Sequence, residues 1–312
     1  MNSASIISDP AESFERYRRR LLGLAYRMFG SMADAEDAVQ EAYLRWHAVD
    51  RENVSDPGAF LMTTTARICL DMLTSARARR EHYVGPWLPE PVLDTDTLAP
   101  DSRVELAQDL SVALLLTLDR LSPLERAAFL LHDVFDFSFA EVAVALERTE
   151  AACRQLAARA RAHLRAVRPR GATRPPAPSG EIHTKHAQLM SAFVAAVQSG
   201  DFDALMQLLA SDVRVVADGG GKVAAALNVI EGAERAARYL VGAARKGWRD
   251  DFLLRFAAIN GQPGIIVYGG EGPVQTSAFE IEGDVIRALY IVRNPEKLRH
   301  LVTYSIKDAS AC

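Results

Sequence analysis

Lysine is missing from the first 170 residues, which carry 21 arginines against 25 acidic residues, while the remainder carries 15 basic and 15 acidic residues. The 312-residue chain therefore has a net charge of -4, which excludes a generally cationic surface that coats nucleic acid without selectivity. Any affinity for DNA has to be local, and a partner has to help hold the duplex. Cysteine is scarce: Cys69, Cys153 and Cys312 lie far apart with no CxxC pair, which argues against a zinc site or a disulfide framework. No metal and no cofactor is expected. Long hydrophobic runs are lacking too. None approaches the roughly 18 residues that a bilayer crossing needs, and the first residues hold no signal-peptide core. The expectation is a cytoplasmic chain without a membrane partner. Hydrophobic content of 49% fits a globular protein of two or three domains.

The positive charge that is present is concentrated. From Arg148 to Arg170 there are seven arginines (148, 154, 159, 161, 165, 168 and 170) against one acid, Glu150. Helical spacing spreads them over the face opposite Ala152, Leu156, Ala160 and Leu164. The stretch from 122 to 165 reads as three amphipathic helices with signalled starts. Ser122 precedes Pro123, Ser138 has Glu141 three residues on, and Thr149 precedes Glu150, so each hydroxyl can accept from an amide that the first helical turn leaves unpaired. This is the outline of a helix-turn-helix whose last helix packs on one face and meets phosphate on the other. The competing reading is a helical hairpin with a solvated arginine face.

Upstream, residues 12–83 are helical by period. A stripe from Phe14 to Met28 is broken at Gly30 and Ser31; a second helix from Asp34 to Trp46 starts acidic, as the helix dipole prefers; a third starts at Asp56 and Pro57 and ends in Arg77, Arg79 and Arg80. Residues 84–104, with their prolines and little periodicity, read as a linker. A second linker at 169–180 mixes Pro, Gly and small residues. From 182 onward two helices, a strand, a helix and four short alternating or apolar runs imply an α+β domain, with helices covering one face of a curved antiparallel sheet that can enclose a pocket.

Four strings stand in order along the chain: CLDMLTSARARRE at 69–81, YVGPWLPEPV at 83–92, DGGGK at 218–222 and NPEKL at 294–298. With them, residues 12–167 resemble an extracytoplasmic-function sigma factor of bacterial RNA polymerase, domain 2 followed by domain 4. The residues after 181 resemble a SnoaL-like domain of the NTF2-like superfamily, a fusion characteristic of one sigma-factor group. The resemblance implies domain 2 at 12–83, a linker at 84–104, domain 4 at 105–168, a linker at 169–180 and the regulatory domain at 181–305.

It also implies partners and residues. Core RNA polymerase, through its β subunit and the clamp helices of β′, would be met by Asp34, Asp37, Gln40, Glu41, Leu44 and Trp46. The -10 element of promoter DNA would be opened by the third helix, with Arg67, Arg77, Arg79 and Arg80 on the backbone and the corner at Pro57, Phe60 and Leu61 holding a base. Ile68 stands where many members of the wider family carry Asn. The -35 element would be read by Thr149, Glu150, Ala152, Arg154, Gln155 and Arg159, since Arg can pair with guanine and Gln with adenine. Cys153 reads as a packing residue, with a redox sensor as the alternative. The free chain is expected to be monomeric.

In the resembling group the extension is a built-in regulator. A flexible tether of about 12 residues has an r.m.s. span near 20 Å, which gives an effective concentration on the order of millimolar, so a weak contact suffices. Trp87 and Leu88 would anchor it, with Pro89, Glu90 and Pro91 beside them, and Asp218, Gly219, Gly220, Gly221 and Lys222, together with Asn294, Pro295, Lys297 and Leu298, would form the opposing surface. DGGGK is no Walker loop: Val223 follows Lys222 where Ser or Thr is needed. Its glycines fit close backbone approach or a tight turn. Two rival functions remain at this level, a ligand-binding helix-turn-helix regulator and a pocket enzyme fused to a DNA-binding front. Enzymes of this architecture need a carboxylate base and a proton donor, for which Asp218, Tyr239, Tyr268 and Tyr290 are the candidates. His183, His186 and His300 fall outside the expected strands, and no acid-base pair is singled out. A non-enzymatic chain is expected, with room for a small-molecule ligand in the pocket.

Overall fold

A computed structural model describes residues 10–50, 54–81, 83–93, 110–167 and 180–301. The chain divides into two units, one drawn from 1–79 and 95–172, the other from 80–94 and 173–312.

The first unit is helical. α1 (Pro10–Phe29) buries the stripe that contains Phe14, Leu21, Leu24, Ala25 and Met28. It ends where Gly30, at φ +66°, donates its amide to the Tyr26 carbonyl, a left-handed stop that glycine makes without steric cost. Ser31 then caps α2 (Met32–Ala48) by accepting from the Asp34 amide at 3.2 Å. Ala35, Ala38, Val39, Ala42 and Trp46 form the buried side of α2, so Trp46 is a core residue and not part of a polymerase-facing surface. Its indole Nε1 donates to Ser13 Oγ, and its ring lies 5.7 Å from that of Phe60. α3 (Pro57–Glu81) starts under Asp56, whose carboxylate accepts from the Ala59 amide. Leu61 is fully buried, which removes its side chain from the expected base-holding corner; Pro57 and Phe60 remain half-buried there. The side chains of Arg77, Arg79 and Arg80 lie outside the described residues.

α4 (Val112–Asp119) follows, then α5 (Pro123–Phe129), a π-helical turn (Leu130–Val134), α6 (Phe139–Leu146) and α7 (Glu150–Val167). Ser122 with Glu125 and Ser138 with Glu141 close reciprocal capping boxes. The first of the three expected helices thus does not run through unbroken. The π turn closes with the Phe135 amide on the Leu130 carbonyl. The two halves of this unit are pinned by arginine. Arg20 donates to the Phe135 carbonyl at 2.6 Å, and buried Arg126 donates to the Met28 carbonyl while pairing with Asp119 at 3.2 Å.

In the second unit α8 (Gly180–Ser199), α9 (Phe202–Leu208) and α10 (Ala233–Gly247) lie against a six-stranded sheet. The strands are β1 (Leu209–Asp218), β2 (Ile230–Glu231), β3 (Leu253–Ile259), β4 (Gln262–Gly269), β5 (Gly272–Glu282) and β6 (Val285–Val292), in the order β2-β1-β6-β5-β4-β3. The sheet is mixed, which corrects the antiparallel expectation: β1 runs parallel to β6, and the other neighbours are antiparallel. A chain that leaves β1 through β2, a helix and a meander returns on β1's far side in the same direction. Alternation decides the faces. Val213, Val215, Ala217, Ile265, Val267, Phe279, Leu289 and Ile291 belong to the core with the helices. A last short helix, α11 (Pro295–Leu298), is capped by Asn294.

Residues 83–93, expected as linker, are an extended strap packed within this second unit. Leu88 is fully buried and Val92 nearly so.

Candidate nucleic-acid interface and regulatory contact

α6 ends at Glu147 in the left-handed region, φ 53°, and Thr149 Oγ1 accepts from the Ala152 amide to start α7. Between them the chain makes the sharp turn that a helix-turn-helix requires. Cys153, Ala157, Ala160 and Leu164 are buried, whereas Thr149, Glu150, Arg154, Gln155 and Arg159 are exposed and Ala152 is half-buried. Arg154 pairs with Glu150 and lies 5.4 Å over the Phe139 ring. Arg161 is committed inward, making two bonds to Asp133 at 2.7 and 3.0 Å. Arg159 stands 3.7 Å from Glu125. Burial raises the Glu125 carboxyl, but the Ser122 hydroxyl and amide with Arg159 and His163 outweigh it, so its pKa is lowered. Arg168 and Arg170 lie outside the described residues.

Cys153 is fully buried, and its thiol is pushed up by burial and by Glu150 against the pull of Arg148. A buried, protonated thiol is a poor redox sensor.

On α2, Asp37 and Gln40 are exposed, Asp34 and Glu41 half-buried, and Leu44 is 56% exposed, opposite the buried stripe. Arg67 has two of its three nitrogens engaged. Its Nε reaches the Ala145 carbonyl at 3.0 Å and its Nη2 the Val144 carbonyl at 2.6 Å, with Glu147 at 3.4 Å. These are the carbonyls left open at the end of α6, where a cation is favoured.

In the second unit the expected regulatory residues converge around one carboxylate. Asp218, at the end of β1, has no exposed surface. It accepts from Tyr83 Oη at 2.5 Å, from the Leu88 amide at 2.9 Å and from Lys297 Nζ at 2.7 Å. Lys297 also donates to the Leu88 carbonyl and sits 4.8 Å from the Tyr83 ring centroid and 4.3 Å from that of Trp87. Asn294 donates to Tyr83 Oη at 2.8 Å. The strap's far end is held by Asn260, which exchanges two bonds with Val92, and by His300, whose Nε2 donates to the Pro91 carbonyl. Burial first, then Asp218, pushes the Tyr83 phenol well above its ordinary value.

The triple glycine allows this approach. A Cβ on Gly220, at φ +59°, would lie 2.3 Å from Asn294 Nδ2 and 3.0 Å from Tyr83 Oη; one on Gly221 would lie 3.0 Å from Val84 Cβ. Lys222 is instead a surface residue paired with Glu296, whose carboxyl it lowers. Pro295 and Glu296 are exposed, and Leu298 is buried. Tyr83, Asn260 and His300 were missing from the expected contact set. Tyr83 stood in the quoted strap string, but nothing in the spacing marked Asn260 or His300.

The four enzyme candidates do not converge. Asp218 is engaged by the strap. Tyr239 lines a cavity on the helix side of the sheet, while Tyr268 and Tyr290 alternate with cavity-lining Val267, Leu289 and Ile291 and so point to the opposite face. Tyr290 Oη donates to Glu280, and burial with that carboxylate raises its pKa. Among the described residues no group of three or more His, Cys, Asp or Glu is placed to hold a metal, and no helix is long and apolar enough to cross a membrane.

Comparison with known proteins places this architecture. Sigma-70 region 2 matches residues 13–79, and sigma-70 region 4 matches residues 111–164. The chain is 38% identical over 294 residues to the ECF RNA polymerase sigma factor SigJ of Mycobacterium tuberculosis, covering 91% of each chain. It is 29% identical over 294 residues to the probable ECF RNA polymerase sigma factor SigI of the same organism, covering 93% of this chain and 95% of that one. The crystal structure of M. tuberculosis SigJ matches with a TM-score of 0.69 and 34% identity, over 93% of this chain and 98% of that chain. These matches define a promoter-recognition subunit of the sigma-70 type with an α+β extension. The chain belongs to the extracytoplasmic-function sigma factors. It is an alternative sigma factor, which directs RNA polymerase to promoters for initiation, and membership of that family implies a non-enzymatic role.

Proposed function

We propose that the two sigma domains divide promoter recognition while the extension, by gripping residues 83–93, governs when they engage. Asp34, Asp37, Gln40, Glu41 and Leu44 would form the surface for the β′ clamp helices, an acidic face with one apolar contact at its C-terminal end. Thr149, Glu150, Ala152, Arg154, Gln155 and Arg159 would read the -35 element, because their side chains stand at the exposed start of α7. Pro57 and Phe60 with Arg67, Arg77, Arg79 and Arg80 would serve the -10 element. For Arg67 this requires release from the α6 carbonyls, so the arrangement seen here is a resting one that opens on polymerase. The chain acts in the cytoplasm, without a membrane, and is monomeric when free. The cavity of the extension accommodates a small-molecule effector.

The observation that carries the regulatory reading is the Asp218 cluster, which binds the segment directly following α3 through a side chain, a backbone amide and a buried cation. Reconstituted transcription with core polymerase tests it, comparing the full chain, a chain stopped near Arg170 and the full chain with Asp218→Ala. The substitution should shift promoter output in the same direction as removal of the extension; unchanged output from Asp218→Ala would remove the regulatory role.

A further inference from the structure

The helix-side cavity of the extension is lined by Phe193, Tyr239, Trp248, Phe252, Val267 and Leu289 among others, encloses about 120 Å³ and is partly open to solvent. Small-molecule sites are typically apolar with a few placed polar groups. Here the polar groups are Tyr239, Gln275, Ser277 and Arg293, and no acidic residue stands in the lining among the described residues. Gln275 Nε2 donates to Ser277 Oγ at 3.1 Å. Among the described residues of the lining, Arg293 carries the only formal charge. Its Nη1 donates to the Ala224 carbonyl at 2.7 Å, and its Nε is buried without a hydrogen-bond partner. A buried guanidinium N–H left unpaired is costly, and the group best matched to its fork is a carboxylate.

We propose that this cavity binds a small monocarboxylate with an aromatic or branched aliphatic body, its carboxylate on Arg293 and its body between Phe193, Trp248 and Phe252. Occupancy would be felt at the strap. The Arg293 amide donates to the Asp218 carbonyl at 2.7 Å, its guanidinium holds Ala224 in the loop that follows the triple glycine, and the next residue, Asn294, donates to Tyr83 Oη. A carboxylate that draws the guanidinium from Ala224 therefore pulls on the backbone that holds the strap cluster. The consequence for the strap rests on the regulatory reading above; the binding site does not.

The test uses the full chain with benzoate, phenylacetate and 4-methylpentanoate as probes and benzamide as the uncharged control, followed by calorimetry and by fluorescence of Trp248. At least one carboxylate should saturate the site, with benzamide at least tenfold weaker. Arg293→Leu should weaken carboxylate binding at least tenfold while Arg293→Lys retains part of it, and Ala243→Trp, which fills the cavity and leaves Arg293 in place, should abolish it. Binding unchanged by both Arg293→Leu and Ala243→Trp, or no saturable binding by any probe to the folded wild-type chain, would overturn the proposal. Hydrogen exchange across residues 83–92 separates the two claims: binding without a change there removes the coupling and leaves the site.

Discussion

Removal of the Asp218 carboxylate should release the strap, and the size of the effect follows from what the carboxylate holds. Asp218→Ala leaves the Lys297 ammonium, 8% exposed, without its counter-ion, and takes the acceptor from both Tyr83 Oη and the Leu88 amide. Breaking a buried pair from one side costs about 3–5 kcal/mol. Lys297 keeps the Leu88 carbonyl and two aromatic faces, which places the loss near the lower end. About 3 kcal/mol corresponds to a change of roughly two orders of magnitude in an opening equilibrium, read directly as faster hydrogen exchange at the Leu88 amide in a peptide covering 83–92. Replacing both partners, Asp218→Leu with Lys297→Met, should cost less than Asp218→Ala alone, because no uncompensated charge stays buried. Exchange at Leu88 accelerated less than about fivefold by Asp218→Ala, or a double variant whose loss equals the sum of the singles, would refute this account of the strap.

Other consequences can be measured separately. Gly220→Ala should destabilise the second unit by at least about 1–2 kcal/mol in chemical unfolding, from left-handed backbone alone, whereas Gly242→Ala in α10, where a Cβ meets nothing within 4 Å, should stabilise it by about 0.5–1 kcal/mol. Because the folded Tyr83 pKa is raised, its contribution to stability is complete below the unfolded value of about 10 and is lost as pH rises through the folded value. An alkaline unfolding series should therefore show a steeper loss in wild type than in Tyr83→Phe. Arg154→Ala and Gln155→Ala should each cost about 1–3 kcal/mol of discrimination at one -35 position, read by run-off transcription on a promoter library with core polymerase. Arg67→Ala should enlarge the radius of gyration of the free chain in small-angle scattering by loosening the α6 contact; an unchanged radius would refute a holding role for Arg67.

What could be read from the sequence was mostly local. Ser122, Ser138 and Thr149 cap helices because a hydroxyl next to a helical pattern has a short-range geometric consequence, and Gly30 stops α1 for the same reason. The sigma-type architecture followed from motif order. Long-range pairing did not. β1 lies parallel to β6 across some seventy residues, and no local pattern in an alternating strand specifies its neighbour's direction. Trp46 continues the acidic helix in sequence yet falls on the same face as Ala35, Ala38 and Ala42, where a large aromatic fills the core. Leu61 was lost to the core similarly. The proline-rich segment 83–93 reads as a linker because it has no period of its own; its order comes from Asp218, Asn260 and Lys297, more than a hundred residues away.

Promoter-directed run-off transcription with purified core polymerase tests the central claim most directly. With its cognate promoter the complex of core and this chain should yield specific transcripts, and neither component should do so alone. The absence of specific transcripts from the mixture, together with tight binding of the same duplex by the free chain, would contradict it.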